Sequence, residues 1–484
     1  MTEPIHIPVL RGGETYSSLD RAELTSPRDG RVLASVSQAN AGLIRRDLRK
    51  IHERTAVLRS IPTRDLLEIC KRAGELFMTA SLPIDDDGPA QGPDDYVALL
   101  SETSGLPHTL CRRNMNKVRT VFDEMEGILG GLMRGMDLSV VDTGFGEHCG
   151  VRVCYYETTD ALGVVLPSNS PGVNSIWMPA LALRTPVVLK PGREEPWTPL
   201  RIIRALMAAG CPKEAFHFYP TDHEGSATIL QGCGRALLFG DEKTTAAYAG
   251  DPRINLHGPG RSKIVVGEDM IDDWREWFDV LVASVVDNGG RSCINASSIY
   301  VPRHADEIAA ALAEAVVSIE PKEASDPDAR LSAFANPKFA EWIDATIDAG
   351  IDAGGAVDLT LEKRGTPRRI EVGGSQFLRP TIVRCQRIDH PLARTEFLFP
   401  FTSVLEVPQS SMLDALGPTL VLTAITRDRD WIRELVRSHS VDRLNLGPYP
   451  TSRAEWDQPH EGNLFEFLYA RRAIQGAIPG GAEC

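Results

Sequence analysis

One cysteine, Cys293, stands in the run DNGGRSCINASS with two glycines and a serine just ahead of it. A thiol that attacks a carbonyl carbon must be reached from an open side, and glycine lets backbone approach closely or take a positive φ. The expectation is that Gly289 and Gly290 keep one approach to Cys293 free. The other cysteines (Cys70, Cys111, Cys149, Cys154, Cys211, Cys233, Cys385 and Cys484) are scattered without a CxxC pair. That pattern argues against a disulfide framework or a zinc site, and small core packing is the ordinary role for each. His257 in LHGPGRSKIVV, Asn169 in VLPSNSPG and Glu396 in TEFLFPF add an imidazole, an amide donor and a carboxyl group.

The elements that must position these groups follow from periodicity. Short apolar strands (GVVLP, PVVLKP, FHFYP) alternate with helical stretches over 175–184 and 198–209, the βαβ rhythm of a parallel sheet covered by helices. No GxGxxG follows any of these strands, so a nucleotide-binding layer rests on order and spacing. Residues 39–76 and 96–130 carry apolar side chains at helical spacing, with SIPTRD as a proline-marked break, and the N-terminal third reads as largely helical. Residues 137–157 change to near-alternation around TGFGEHCG, the pattern of a long β-hairpin of the kind used between subunits. FEFLYARRAI, near the C-terminus, alternates well enough for a strand that completes an intersubunit sheet with that hairpin.

Composition narrows the class. With 484 residues, 42% hydrophobic and 24% charged, the chain can build two or three domains with substantial cores. Its net charge of −14 is spread out and no basic run occurs, so neither nucleic acid nor an anionic membrane is expected as a partner. The N-terminus lacks a signal-peptide pattern and no segment reaches the roughly 18 uninterrupted apolar residues of a membrane span, which leads to the expectation of a cytoplasmic protein acting on a small molecule.

Four stretches taken together resemble the aldehyde dehydrogenase superfamily: GVVLPSNSPGVN (163–174), PVVLKPGREEPWTPL (186–200), DNGGRSCINASSIYVP (287–302) and TEFLFPFTSVLEV (395–407). Their order and spacing agree with that family over roughly residues 20–480. The resemblance implies an α/β fold: a doubly wound cofactor-binding domain over 1–136 and 158–262, and an α/β catalytic domain over 263–455. A β-arm for oligomerisation, residues 137–157 with 456–484, completes it and implies a homodimer or homotetramer. It further implies NAD(P)-dependent oxidation of an aldehyde, with Cys293 as nucleophile and Asn169 and the Cys293 N–H as oxyanion donors. Cofactor contacts are implied at Val165, Leu166, Pro167, Lys190, Gly240, Gly258, Glu396 and Leu398. Glu194 or Glu195 would favour NAD by repelling a 2′-phosphate, whereas Arg193 beside them would accept one, so NAD and NADP both stay open.

Several positions depart from the family pattern. The phosphate loop reads LLFGDEKTTAAY, so Asp241 and Glu242 stand where a pyrophosphate would meet a helix N-terminus; like charge there weakens dinucleotide binding, unless the acids only cap the helix. His257 occupies the place of the general-base glutamate of hydrolytic members. Three readings stay open for it: a base, part of a site that hands the thioester to coenzyme A as in acylating members, or a structural histidine. In place of the family's glycine-rich C-terminal loop the chain supplies His460, Glu461 and several aromatics. Those, with Trp177 and Phe401, would suit an apolar or aromatic aldehyde. A dinucleotide-binding protein without turnover is the reading of a different class, against which the retained cysteine and asparagine argue.

Overall fold

The computed structural model describes residues 4–86 and 88–476; residues 477–484 of the expected C-terminal arm segment, with Cys484, lie outside the described residues. Two seven-stranded sheets organise the chain. The first runs in the order Ile254–His257, Arg235–Phe239, Leu162–Val165, Val187–Lys190, Phe216–Phe218, Val9–Arg11 and Glu14–Tyr16. Its first five strands are parallel, and the N-terminal pair joins antiparallel at the edge. Strands covered by helices on both faces need apolar side chains throughout, and Leu162–Val165 is buried at every position.

The second sheet runs Ala356–Asp358, Thr381–Cys385, Phe401–Glu406, Ser298–Val301, Lys263–Val266, Thr419–Ile425 and Val441–Leu446. All neighbours are parallel except the antiparallel edge strand Ala356–Asp358. Lys263–Val266, Ser298–Val301 and Thr419–Ile425 are wholly buried. Five residues, 258–262, carry the chain from the last strand of the first sheet to the first strand of the second, so these two layers meet at that connector.

The expected hairpin is present but shorter. Ser139–Thr143 is helical, and Phe145–His148 pairs with Val151–Glu157 around Cys149 and Gly150, whose φ values of 50° and 76° suit a two-residue turn of the primed type. Tyr469–Arg471 pairs with the hairpin at Tyr155 to Glu157, whereas the stretch before it, Leu464–Leu468, is a helix instead of the expected strand. Asn463 caps that helix, accepting the Glu466 N–H, and local capping overrides the alternation.

The N-terminal third also departs from the expected helical character, because five short strands fill residues 5–37. At three to six residues each they are too short for periodicity to register. Helices follow at Ala41–Leu48, Ile51–Arg59 and Thr63–Thr79, with Pro62 at the expected break. The expected helix over 175–184 is instead a 3₁₀ stretch, Pro171–Ile176, followed by one turn, Pro179–Ala182. Pro179 interrupts the pattern because its ring has no N–H to give to a continuing helix. No helix among the described residues is long and apolar enough to cross a membrane.

Candidate active site

In the first sheet the strand order reverses between Leu162–Val165 and Arg235–Phe239, which leaves a crevice beyond their carboxyl ends. The loops starting at Leu166, Gly240 and Gly258 rise from those ends. They face the amino ends of Lys263–Val266, Ser298–Val301 and Phe401–Glu406 in the second sheet, before which lie the 258–262 connector, Cys293 and Glu396. A cavity of about 720 Å³ fills this junction, lined among others by Asn169, Gly240, His257, Cys293 and Glu396. A second, of about 740 Å³, adjoins it and shares Lys117, Ser170, Ser292, His460 and Glu461.

The cysteine loop is held by close backbone packing. Asn288, Gly289 and Gly290 have φ of 53°, 63° and 67°, and a Cβ on Gly290 would lie 2.2 Å from the Phe399 carbonyl carbon. Gly290 therefore lets the loop press onto residues 399–400, and Gly289 faces Ser332 and the Arg330 carbonyl; they do not keep an approach to the thiol open, as the sequence suggested. From the other side a Cβ on Gly260 would fall 2.1 Å from the Cys293 carbonyl oxygen, which accepts a 2.8 Å hydrogen bond from Ser262 Oγ. Burial pushes the Cys293 thiol up to about 12, Glu396 adds to that shift, and Lys117 and Arg443 oppose it.

Asn169 is tied to this loop: its Nδ2 donates to the Arg291 carbonyl at 2.9 Å, leaving the second amide hydrogen available. Glu396 accepts the Arg261 N–H at 2.6 Å, and burial raises its carboxyl to about 7 against the pull of the Arg261 and Gly260 N–H groups. Pro167, Gly258 and Leu398 line the same cavity. Val165 and Leu166 are core side chains, 7% and 4% exposed, and neither lines it. Lys190, half-buried, ends its strand beside Val165 at the same carboxyl edge but is not among the residues lining either cavity, and burial lowers its pKa.

His257 stacks on Phe239 with ring centroids 4.3 Å apart, and burial lowers it to about 3, so its imidazole is neutral and weakly basic. Its Nδ1 is in direct contact with Glu461 Oε2, while Glu461 Oε1 lies 4.0 Å from Cys293 Sγ. One carboxyl group thus bridges the imidazole and the thiol. No role was assigned to Glu461 from sequence, because the C-terminal stretch matched no motif.

Two cations were missed altogether. Lys117 projects from the helix His108–Asp123, where a lysine among polar neighbours carries no signal. Its Nζ lies 3.3 Å from where a Cβ on Gly172 would stand, so that glycine makes room for it. Arg443 comes from the strand Val441–Leu446; its Nη1 donates to His460 Nδ1 at 2.7 Å and its Nη2 to the Thr451 carbonyl at 2.6 Å.

Three further expectations are corrected. Glu195 is 2% exposed and accepts from Thr198 N and Oγ1 at 2.8 and 2.6 Å, so it caps the helix Trp197–Ala208 and is closed to a ribose; burial raises it to about 8. Trp177 and Phe401, 0% and 3% exposed, are core side chains and line neither cavity. Asp241 accepts the Thr244 N–H at 2.7 Å and caps the short helix Glu242–Ala246, while Glu242 pairs with Arg261 at 2.8 Å.

The Aldehyde dehydrogenase family model matches residues 15–414. A Staphylococcus haemolyticus protein provisionally named an aldehyde dehydrogenase is 25% identical over 320 residues, which is 62% of this chain; the match spans 66% of that relative's length. The mitochondrial aldehyde dehydrogenase of Leishmania tarentolae is 25% identical over 256 residues, half of each chain. Among solved structures, an indole-3-acetaldehyde dehydrogenase complexed with NAD+ superposes with a TM-score of 0.79 at 16% identity, covering 97% of this chain and 96% of its own. A Pseudomonas aeruginosa aldehyde dehydrogenase gives 0.78 at 16%, covering 98% and 97%. At such identities the structural likeness speaks to the fold.

Proposed function

The chain belongs to the aldehyde dehydrogenase family, and on that premise we propose that it oxidises an aldehyde to a carboxylic acid through a thioester on Cys293, with NAD or NADP as hydride acceptor. The observation that carries this reading is the grouping of Cys293, Asn169 and Glu461 in one cavity, with the thiol 4.0 Å from a carboxyl oxygen.

The residues present fit a dinucleotide. A cavity of about 720 Å³ at the carboxyl edge of a parallel sheet offers backbone at Gly240 and Gly258, the Arg261 guanidinium and the Glu396 carboxyl. Glu396, Gly240, Gly258, Pro167 and Leu398 would hold it, and when bound it supplies hydride acceptance. Lys190, at the same carboxyl edge, would reach it from beyond the cavity, and Val165 and Leu166 would contribute only from behind its wall.

In this reading Glu461 takes the Cys293 proton, and sulfur attacks the aldehyde carbon to give a thiohemiacetal oxyanion. The free Asn169 amide hydrogen and the Cys293 N–H stabilise that oxyanion, as fixed donors do at developing charge. After hydride loss the carbon is a thioester. Glu461 releases that proton to solvent, then accepts one from water, whose oxygen adds to the carbon; collapse expels the Cys293 sulfur as thiolate, which takes the proton back from Glu461, and the acid is released. His257 acts as a positioning residue: stacked on Phe239 and neutral, it fixes one Glu461 oxygen and leaves the other to the thiol. The arm sheet, with Phe145–His148 at its edge, supports assembly into a homodimer or homotetramer.

Rapid-mixing absorbance of reduced nicotinamide tests the reading, using NAD or NADP, with and without coenzyme A. Steady turnover without coenzyme A is expected. A stoichiometric burst that turns over only with coenzyme A would make the protein acylating; no reduced nicotinamide and no trapped thioester with any aldehyde would overturn the proposal.

A further inference from the structure

The cavity of about 740 Å³, which reaches Ser292 and Ile294 on either side of Cys293, has a charge imbalance. Three cations line it. Arg113 is matched by Asp287, 3.2 Å away. Lys117 makes no ion pair or hydrogen bond among the described residues, although enclosure lowers its pKa and Gly172 leaves its Nζ space at the cavity junction. Arg443 is held only by neutral acceptors, His460 Nδ1 and the Thr451 carbonyl, and its Nε is buried without a partner.

Three of the four carboxyl groups of the same wall are engaged elsewhere or face outward: Asp287 also accepts from Ser452 at 2.6 Å, Glu455 pairs with Arg453, and Glu466 is exposed at the rim. The fourth, Glu461, lies against a neutral imidazole and shares one proton with Cys293, so carboxylate and thiolate together supply a single negative charge. Enclosing a charge without a counter-charge is costly, and with two cations facing one negative charge the second calls for an anion.

We propose that the aldehyde oxidised here carries a carboxylate group, which Lys117 and Arg443 receive, while Ile128, Leu132, Trp456 and Phe467 line the cavity around the rest of the molecule. This rests on the proposed dehydrogenase reading and specifies its substrate. Arg443 presents a planar fork matched to a carboxylate, and His460, accepting at Nδ1, fixes the guanidinium's direction.

The test compares kcat/KM for butanal with that for its terminally carboxylated analogue of the same length, in the wild-type protein and in Lys117→Met, Arg443→Met and Lys117→Arg. The wild type is expected to favour the carboxylated aldehyde by about 10–100-fold, the range of charge-assisted recognition. Each Met variant should cut that ratio about tenfold or more, and Lys117→Arg should restore most of it. The ratio cancels any effect of these cations on the thiol, which acts on both aldehydes alike. Calorimetric titration of the wild type and the Met variants with butanedioate gives a readout independent of turnover: binding in the wild type and its loss in both variants is expected. A wild-type ratio of one or below, or a ratio unmoved in both Met variants, overturns the inference while the dehydrogenase reading stands. Absence of turnover with both aldehydes, with butanedioate still bound, would instead count against the dehydrogenase reading alone.

Discussion

The two cavities that meet beside Cys293, at Lys117, Ser292, Ile294 and Glu461, are nearly equal, about 720 and 740 Å³, and differ in construction. The first is made largely of strand ends and tight loops, with Asp241 already spent on a helix cap and Arg261 paired to Glu242. The second is made of side chains gathered from a helix, a strand and the segment near residue 460, and it holds Lys117 and Arg443 against the single carboxylate of Glu461. A site can thus take one half of its specificity from backbone geometry and the other half from charges collected across the chain.

Removing the thiol that lines the first cavity, between Ser292 and Ile294 that line both, should have the largest effect. Cys293→Ala is expected to lower turnover by about 10⁴-fold or more, read from steady-state formation of reduced nicotinamide, while cofactor binding by fluorescence titration stays close to wild type. Activity near wild type would mean that the thiol is not the reacting centre.

Next comes the side-chain-built wall. Glu461→Gln should retain a burst of reduced nicotinamide, slowed because the thiol loses its proton acceptor, and lose about 10²–10⁴-fold in the steady state, within the usual range of a general base. Rapid mixing separates the two phases, and an unchanged steady state would take this wall out of the chemistry. From the strand-end wall, Asn169→Ala should lower kcat by about 10²–10³-fold, as loss of one oxyanion donor does. A rise in the aldehyde KM with kcat intact would recast Asn169 as a binding residue.

The smallest effect is one of pH. Burial favours the acid form of Glu396 up to about 7, so its carboxylate, the better acceptor for hydroxyl groups, is gained above that value. The KM for cofactor should fall by about three- to tenfold between about pH 6 and 8, and Glu396→Gln should flatten the profile. Stability runs the opposite way. From 4.5 upward the unfolded chain releases this proton while the native state keeps it to about 7. The contribution of Glu396 to folding is therefore progressively lost across that window relative to Glu396→Gln, measurable by denaturant titration at several pH values.

How far the molecule could be read in advance follows the same division. Cys293, Asn169 and Glu396 stand in short contiguous runs beside apolar strands, and the α/β alternation that carries them was legible from periodicity. Lys117, Arg443 and Glu461 were not, because each lies in an element whose local pattern is unremarkable and only the tertiary fold brings them to one wall. The glycines before Cys293 were read for their freedom, when what mattered was the backbone pressed against them. Residues 465–468 were read as strand from FEFLYARRAI, although Asn463 three residues before Glu466 is a helix-start signal that outranked the alternation.

The contact between Gly260 and the Cys293 carbonyl has a bearing on descent and on engineering. With no room for a single carbon between the connector and the cysteine loop, neither segment can be exchanged alone for a version bearing a side chain at that point. The two form one unit of inheritance: a cysteine loop borrowed from a relative, or moved into another scaffold, has to travel with a connector that keeps glycine at its matching position.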